Sequence, residues 1–101
     1  MKKLLLASLI TLAASNAYAG EFVQIVNDNC EDSSRYIGSD QSGNYYLLET
    51  YSWVSNGDWF VGDFRSYGFE DTFNMETADE VSFYIEEWYA SERDAVEFCF
   101  D

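Results

Sequence analysis

The groups that could do chemistry in this chain are almost all carboxylates. The sequence has 19 aspartates and glutamates against five lysines and arginines, and it has no histidine. Catalytic triads built on histidine and ordinary zinc sites are therefore excluded. A carboxylate pair of the glycosidase type is the remaining catalytic option, but so small a domain offers little cleft in which to raise one pKa selectively. We expect a protein that is not an enzyme and needs no cofactor.

Calcium is the metal that such a chain could bind, because calcium prefers oxygen ligands. However, neither residues 28–33 nor residues 40–45 have the ligand spacing of an EF-hand loop. Neighbouring acids such as Glu31 and Asp32 are more typical of solvated surfaces. No metal site is predicted, and a calcium-stabilised structural β domain is kept as an alternative.

Two cysteines, Cys30 and Cys99, are the only thiols in the sequence. They reach an oxidising compartment together if the chain is exported, so we predict that they form one structural disulfide. Closing so long a loop stabilises the fold by roughly 4 kcal/mol in the chain-entropy treatment.

One stretch, residues 42–58, carries a recognisable pattern: SGNYYLLETYSWVSNGD. It resembles the paired signature of the periplasmic and membrane-bound inhibitors of c-type lysozyme. That family has Ser-Gly-x-x-Tyr on one element, followed by Tyr-x-x-x-Thr/Ser-Lys-Gly and often an acid. The residues that match are Ser42, Gly43 and Tyr46 in the first part, and Tyr51, Ser55 and Gly57 in the second, with Asp58 following. The same residue types also form ordinary hairpin turns and strands.

The resemblance implies a small antiparallel β-barrel that blocks the cleft of a lysozyme. In the family, the serine and the lysine of the two motifs enter the cleft and meet the catalytic carboxylates. Here Ser42 offers a hydroxyl donor, whereas Asn56 replaces the lysine and donates without the charge-assisted contact. The predicted partner-binding residues are Ser42, Tyr46, Tyr51, Ser55, Asn56 and Asp58.

The elements that must position these residues are mostly strands. Residues 22–26 and 45–54 are rich in β-forming types, and in the second stretch four side chains share one face at period two: Tyr45, Leu47, Tyr51 and Trp53. Residues 40–44 and 55–58 have turn composition. Residues 59–65 are predicted to return as the second strand of a hairpin.

Two more strands are predicted from alternation, one on Val81, Phe83 and Ile85, and a last one on Val96, Phe98 and Phe100. Residues 66–79 are left open, and residues 86–95 have a loose helical period as an alternative. The predicted fold class is mainly β, as a small antiparallel β-barrel or sandwich with one disulfide that spans the termini.

The first 19 residues have the three parts of a signal peptide: Lys2 and Lys3, an apolar run too short to be a membrane anchor, and a small-x-small cleavage box ending at Ala19. The predicted domains are the signal at 1–19 and one secreted domain at 20–101, in the bacterial periplasm or outside the cell. Without the signal, three arginines against 19 carboxylates give a net charge of −16.

So negative a domain repels nucleic acid and attracts a basic protein partner. The sequence therefore predicts a secreted acidic inhibitor of a basic c-type lysozyme. A periplasmic immunity protein against a basic antibacterial toxin is the alternative from another class. Nothing in the sequence fixes an oligomeric state.

Overall fold

The computed structural model of the protein describes residues 20–101, and the predicted signal peptide lies outside the described residues. Six strands precede one helix: β1 Glu21–Asn27, β2 Arg35–Ser39, β3 Tyr45–Glu49, β4 Trp59–Gly62, β5 Gly68–Asn74, β6 Asp79–Ala90 and α1 Glu92–Phe100. The strands predicted at residues 22–26 and around Phe83 are confirmed as parts of β1 and β6. Residues 66–79, which the sequence left open, contain β5.

The six strands form a closed antiparallel barrel in the order β1-β2-β3-β6-β5-β4, with β1 also paired to β4. Closing a sheet on itself removes the unpaired edges that a sandwich would expose. The predicted mainly β fold is confirmed, and of its two forms the structure is the barrel.

The barrel interior is filled by aromatic and aliphatic side chains from β1, β2, β3, β4 and β6. The ring of Phe83 packs 5.0 Å from that of Phe60 and 5.9 Å from that of Phe64. Full burial of one such side chain stabilises the fold by about 1.5–3 kcal/mol. Strand β5 adds the buried hydroxyl of Thr72, which donates to the carbonyl oxygen of Val81 at 2.7 Å.

The C-terminal segment is a helix, and the last strand predicted on Val96, Phe98 and Phe100 is wrong. Ser91 caps α1 by accepting a hydrogen bond from the backbone N–H of Asp94 at 3.1 Å. Ala95 and Cys99, four residues apart, form its buried face. Because the barrel is closed, no edge is left to pair with a further strand. The alternative helical period over residues 86–95 also misplaces the boundary, since β6 continues to Ala90.

Helix α1 packs on the outer face of β2 and β3, where it covers Ile37 and Leu47. The predicted disulfide between Cys30 and Cys99 is confirmed, with the two Cα atoms 4.6 Å apart. Beside it, the Nη1 atom of Arg35 donates to a carbonyl oxygen near the end of the helix, that of Phe98, at 2.9 Å. The helix is therefore fastened to the barrel by one covalent bond and one charged donor.

The hairpin predicted between residues 45–54 and 59–65 is wrong. Strand β3 lies between β2 and β6, whereas β4 lies between β1 and β5, so the two strands never pair. The chain between them, residues 50–58, crosses one end of the barrel and inserts Val54 into the interior cluster. Tyr51 and Trp53 lie on this crossing and do not share a strand face with Tyr45 and Leu47.

Candidate partner-binding site

The residues predicted to bind a partner fall at two separate ends of the barrel. Ser42 lies in the turn that follows β2, and Asn56 lies in the connection that follows β3. Since β2 and β3 are antiparallel neighbours, the turn and the connection leave opposite ends of the barrel. We call the end formed by residues 40–44 the turn end, and the end crossed by residues 50–58 the loop end.

The turn end is organised around the carboxylate of Asp40. It accepts hydrogen bonds from the backbone N–H groups of Ser42 and Asn44 at 2.9 and 3.0 Å, and from the hydroxyl of Tyr46 at 2.9 Å. Burial by itself would raise the pKa of Asp40, but the hydrogen bonds from Asn44, Tyr46 and Ser42 outweigh it, and the pKa is lowered. The turn is thus held by an ionised carboxylate.

Two predicted site residues have different exposure at this end. Ser42 is exposed. Tyr46 is 0% exposed and its ring packs 6.0 Å from that of Phe64 in the interior. Burial, with the hydrogen bond to Asp40, raises the pKa of Tyr46. Tyr46 therefore supports the turn from inside the barrel, and of the two only Ser42 lies where a partner could touch it.

The loop end contains the other four predicted residues, and its tight turn at residues 55–58 is confirmed. Gly57 adopts a φ of 92° there, and its N–H donates to the carbonyl oxygen of Ile25 at 2.8 Å. The carboxylate of Asp58 accepts from the N–H of Ser55 at 3.0 Å and from the side chain of Asn74 at 3.1 Å. Asp58 thus fixes the turn, and the amide side chain of Asn56 is left exposed.

Two aromatic side chains dominate the surface of the loop end. Tyr51 is 98% exposed and Trp53 is 97% exposed. They are held out by their neighbours, because Val54 is buried and the hydroxyl of Thr50 donates to the carbonyl oxygen of Ser82 at 2.9 Å. Large exposed rings on a well-bonded loop are typical of an interaction site. The sequence included Tyr51 as a site residue but missed Trp53, whose only signal was its aromatic type.

The electrostatics of the described surface follow from its three arginines, all of which are engaged. Arg65 forms an ion pair with Glu21 at 2.9 Å and Arg93 forms one with Glu97 at 3.3 Å. Arg35 donates to the helix carbonyl described above, and its guanidinium lies 4.6 Å from the centre of the Phe98 ring. The 19 carboxylates therefore determine the sign of the field around residues 20–101.

Comparisons with protein-family models, with curated proteins and with solved structures find no match to this chain. Within residues 20–101, no cluster of three or more cysteine or acidic side chains is arranged to hold a metal ion. In the same residues, no helix has the length and apolar character needed to cross a membrane.

Proposed function

We propose that this protein is an exported inhibitor that binds a strongly basic enzyme in the bacterial periplasm or outside the cell, with c-type lysozyme as its specific target. The observation that carries the proposal is the surface charge, 19 carboxylates against three arginines that are each already engaged. Such a surface attracts a cationic protein from a distance. The signal-like residues 1–19 support the compartment, and the resemblance over residues 42–58 supports the target.

The loop end is the better candidate for insertion into the enzyme's cleft. Because Ser42 and Asn56 lie at opposite ends of the barrel, a single cleft accommodates only one of them. The loop end carries Tyr51 and Trp53, and exposed aromatic side chains are the commonest anchors of protein interfaces. We therefore propose that one loop inserts, in place of the two prongs that the resemblance implies.

The chemistry of the inserted group is hydrogen-bond donation to carboxyl oxygens. Lysozyme uses two carboxyl groups across the scissile bond, so donors between them occupy the place of the substrate. The amide of Asn56 offers two N–H donors and is exposed at the tip of the bonded turn. The Asn56 amide lacks the charge of a lysine. The long-range attraction between an acidic inhibitor and a basic enzyme offsets that loss, and it does so by raising the rate of encounter more than the affinity.

Inhibition of a c-type lysozyme by the exported, oxidised protein at low and at high salt tests the proposal. We expect stoichiometric inhibition at both, with slower association at high salt because exposed charges are screened. Binding that disappears at high salt, without inhibition at any salt, would refute a cleft-inserting inhibitor. The immunity-protein alternative would then be tested with a basic toxin encoded by a neighbouring gene.

A matched pair of substitutions tests the choice of end. Asn56→Ala and Ser42→Ala each remove one exposed polar side chain from a turn, one at each end. We expect Asn56→Ala to weaken inhibition about tenfold, the loss expected for a buried hydrogen bond to a charged group, and Ser42→Ala to leave it unchanged. The reverse result would move the site to the turn end, and two unchanged variants would remove the assignment of both residues.

A further inference from the structure

A groove of about 560 Å³ lies on the outer surface of the barrel, next to the loop end. Its floor and walls come from β3, β5, β6 and the start of the 50–58 loop, and we call it the acidic–aromatic groove: Glu49, Tyr51, Phe69, Ser82, Tyr84 and Glu86. Of these residues, Glu49 and Tyr51 lie within the stretch 42–58, and only Tyr51 is among those that match the motif. The groove opens beside the exposed ring of Tyr51, so a partner seated on the loop end also reaches it.

The register of three strands brings the aromatic side chains of the groove together. Tyr84 in β6 is the cross-strand partner of Phe69 in β5 on one side and of Glu49 in β3 on the other. The rings of Phe69 and Tyr84 meet edge to face with their centres 4.9 Å apart. Phe69 is 75% exposed and Tyr84 is 38% exposed, so both rings are accessible to a partner. Helix α1 packs mainly against β2 and β3.

Two acidic side chains, those of Glu49 and Glu86, line the groove. Partial burial, and then the neighbouring Glu86, raise the pKa of Glu49, whereas Arg35 on the adjacent strand lowers it. Arg35 does not form an ion pair with either carboxyl group in the described chain, because its guanidinium is directed to Phe98. The groove therefore places two acidic side chains beside exposed aromatic rings, and no lysine or arginine is among its lining residues.

We propose that the acidic–aromatic groove binds an arginine side chain presented by the basic protein partner. This inference rests on the proposed function, since it names the chemistry of the partner. A guanidinium can stack on an aromatic face while its N–H groups donate to carboxylates, which a neutral side chain cannot do. An apolar side chain would desolvate Glu49 and Glu86 without compensation. Charge complementarity therefore selects a cationic side chain, and stacking on the exposed rings favours arginine over lysine.

A capped tetra-arginine peptide, titrated into the oxidised protein by calorimetry at about 0.15 M ionic strength, is the probe. Glu49→Gln with Glu86→Gln removes the two groove charges. Its matched control, Glu31→Gln with Asp63→Asn, removes the same charge at two exposed positions outside the groove. We expect the groove variant to lose affinity about tenfold and the control less than about threefold, because screening shortens the reach of distant charges. Equal losses of affinity in the groove variant and the control variant would refute the groove as the binding site.

A second variant tests the aromatic contribution. Phe69→Leu keeps an apolar side chain and removes the ring, so we expect the affinity for tetra-arginine to fall about threefold, in line with an exposed cation–π contact. Unchanged affinity would remove Phe69 from the binding groove. Thermal unfolding checks that each variant is folded. Chitin oligosaccharides that bind the groove and are unaffected by Glu49→Gln with Glu86→Gln would make it a saccharide site and overturn the proposal.

The same variants separate the groove from the proposed function. Undiminished lysozyme inhibition by the Glu49→Gln, Glu86→Gln protein would refute the groove and leave the inhibitor proposal standing. Groove-dependent binding of tetra-arginine by a protein that does not inhibit lysozyme would refute the inhibitor and leave the groove standing.

Discussion

The turn end and the loop end of the barrel are built from the same kinds of residue, yet those residues serve opposite purposes. At the turn end, Tyr46 is buried and its hydroxyl satisfies Asp40, so the aromatic ring is part of the core. At the loop end, the side chains of Tyr51 and Trp53 are exposed to solvent, and the buried positions are occupied by Thr50 and Val54. A tyrosine in a β-like sequence therefore stabilises the fold or faces a partner according to which neighbours complete its environment.

The difference has a consequence for mutation. Substitutions at the turn end should change stability because they remove bonds within the protein. Substitutions of the exposed rings at the loop end should change binding alone, since almost none of their surface is buried in the free protein. The following variants test that division, from the largest expected effect to the smallest.

Trp53→Ala is expected to weaken lysozyme binding by at least about 2 kcal/mol, the usual threshold of an interface hot spot. Its unfolding free energy should stay within about 0.5 kcal/mol of wild type, because the side chain is exposed. Tyr67→Ala, which truncates an exposed ring near the turn end, is the control and should leave binding intact. Inhibition constants and urea unfolding measure both quantities. Equal binding losses in the two variants would end the distinction between the ends.

Tyr46→Phe should show the opposite behaviour. It removes the hydroxyl that donates to Asp40 at 2.9 Å while keeping the ring in the core. A hydrogen bond to a charged group contributes about 1.5–3 kcal/mol, so we expect a loss of unfolding free energy in that range and no change in binding. Denaturant unfolding is the measurement. A stable variant with weakened binding would mean that the turn end takes part in recognition.

Replacing the turn glycine should lower the stability of the protein by the same amount at either end of the barrel. Gly43 and Gly57 have φ values of 85° and 92°, and neither has a neighbouring atom that a Cβ would contact. Replacing either by alanine should destabilise the protein by about 1 kcal/mol, purely from the unfavourable backbone conformation. Urea unfolding of both variants tests this. A much larger cost at Gly57 would show that the loop end is less tolerant of backbone adjustment than its exposed side chains suggest.

Acidification is expected to change the contributions of Asp40 and Glu49 to stability in opposite directions. The lowered pKa of Asp40 means that its contribution to stability is present above its unfolded value, near 3.8, and is lost as the pH falls through the folded value. The raised pKa of Glu49 means a penalty present above the folded value, which protonation relieves as the pH falls. We expect the stability advantage of wild type over Asp40→Asn to shrink on acidification.

Over the same pH series, the disadvantage of wild type relative to Glu49→Gln should also shrink. Urea unfolding at several pH values from neutral to about pH 3 would measure the two trends, each expected to amount to a few tenths of a kcal/mol because both groups are partly exposed to solvent. A difference from Asp40→Asn that does not change with pH would show that the carboxylate contributes no titrating stability to the turn end.

Local patterns in the sequence predicted what depends on near neighbours. The alternation around Val81 and Phe83, the turn composition at residues 40–44 and 55–58, and the pair of cysteines each led to a confirmed feature. The strand predicted at Phe98 failed because burial follows the helical spacing of Ala95 and Cys99, whereas the alternating Val96 and Phe100 are exposed. Neither the cap at Ser91 nor the closed barrel that excludes a further strand was predicted.

Features that depend on distant pairing were out of reach of the sequence. The path of residues 50–58 across the end of the barrel depends on β4 pairing with β1 instead of β3, which no local pattern specifies. The acidic–aromatic groove likewise needs Glu49, Phe69 and Tyr84 in one row across three strands. Period-two counting placed Tyr51 and Trp53 on one strand face with Tyr45 and Leu47, because it registers residue type and spacing and cannot tell that β3 ends at Glu49.

The disulfide also determines what a protease can do to this protein. The ring closed by Cys30 and Cys99 encloses every strand except β1, and it therefore contains the 50–58 loop. That loop presents Tyr51 and Trp53 to any endopeptidase that prefers aromatic residues. A single cut there would leave two pieces that stay covalently joined and held in one barrel. In gels the cleaved protein would run as one species until reduced, and its exposed loop could be severed without releasing either half.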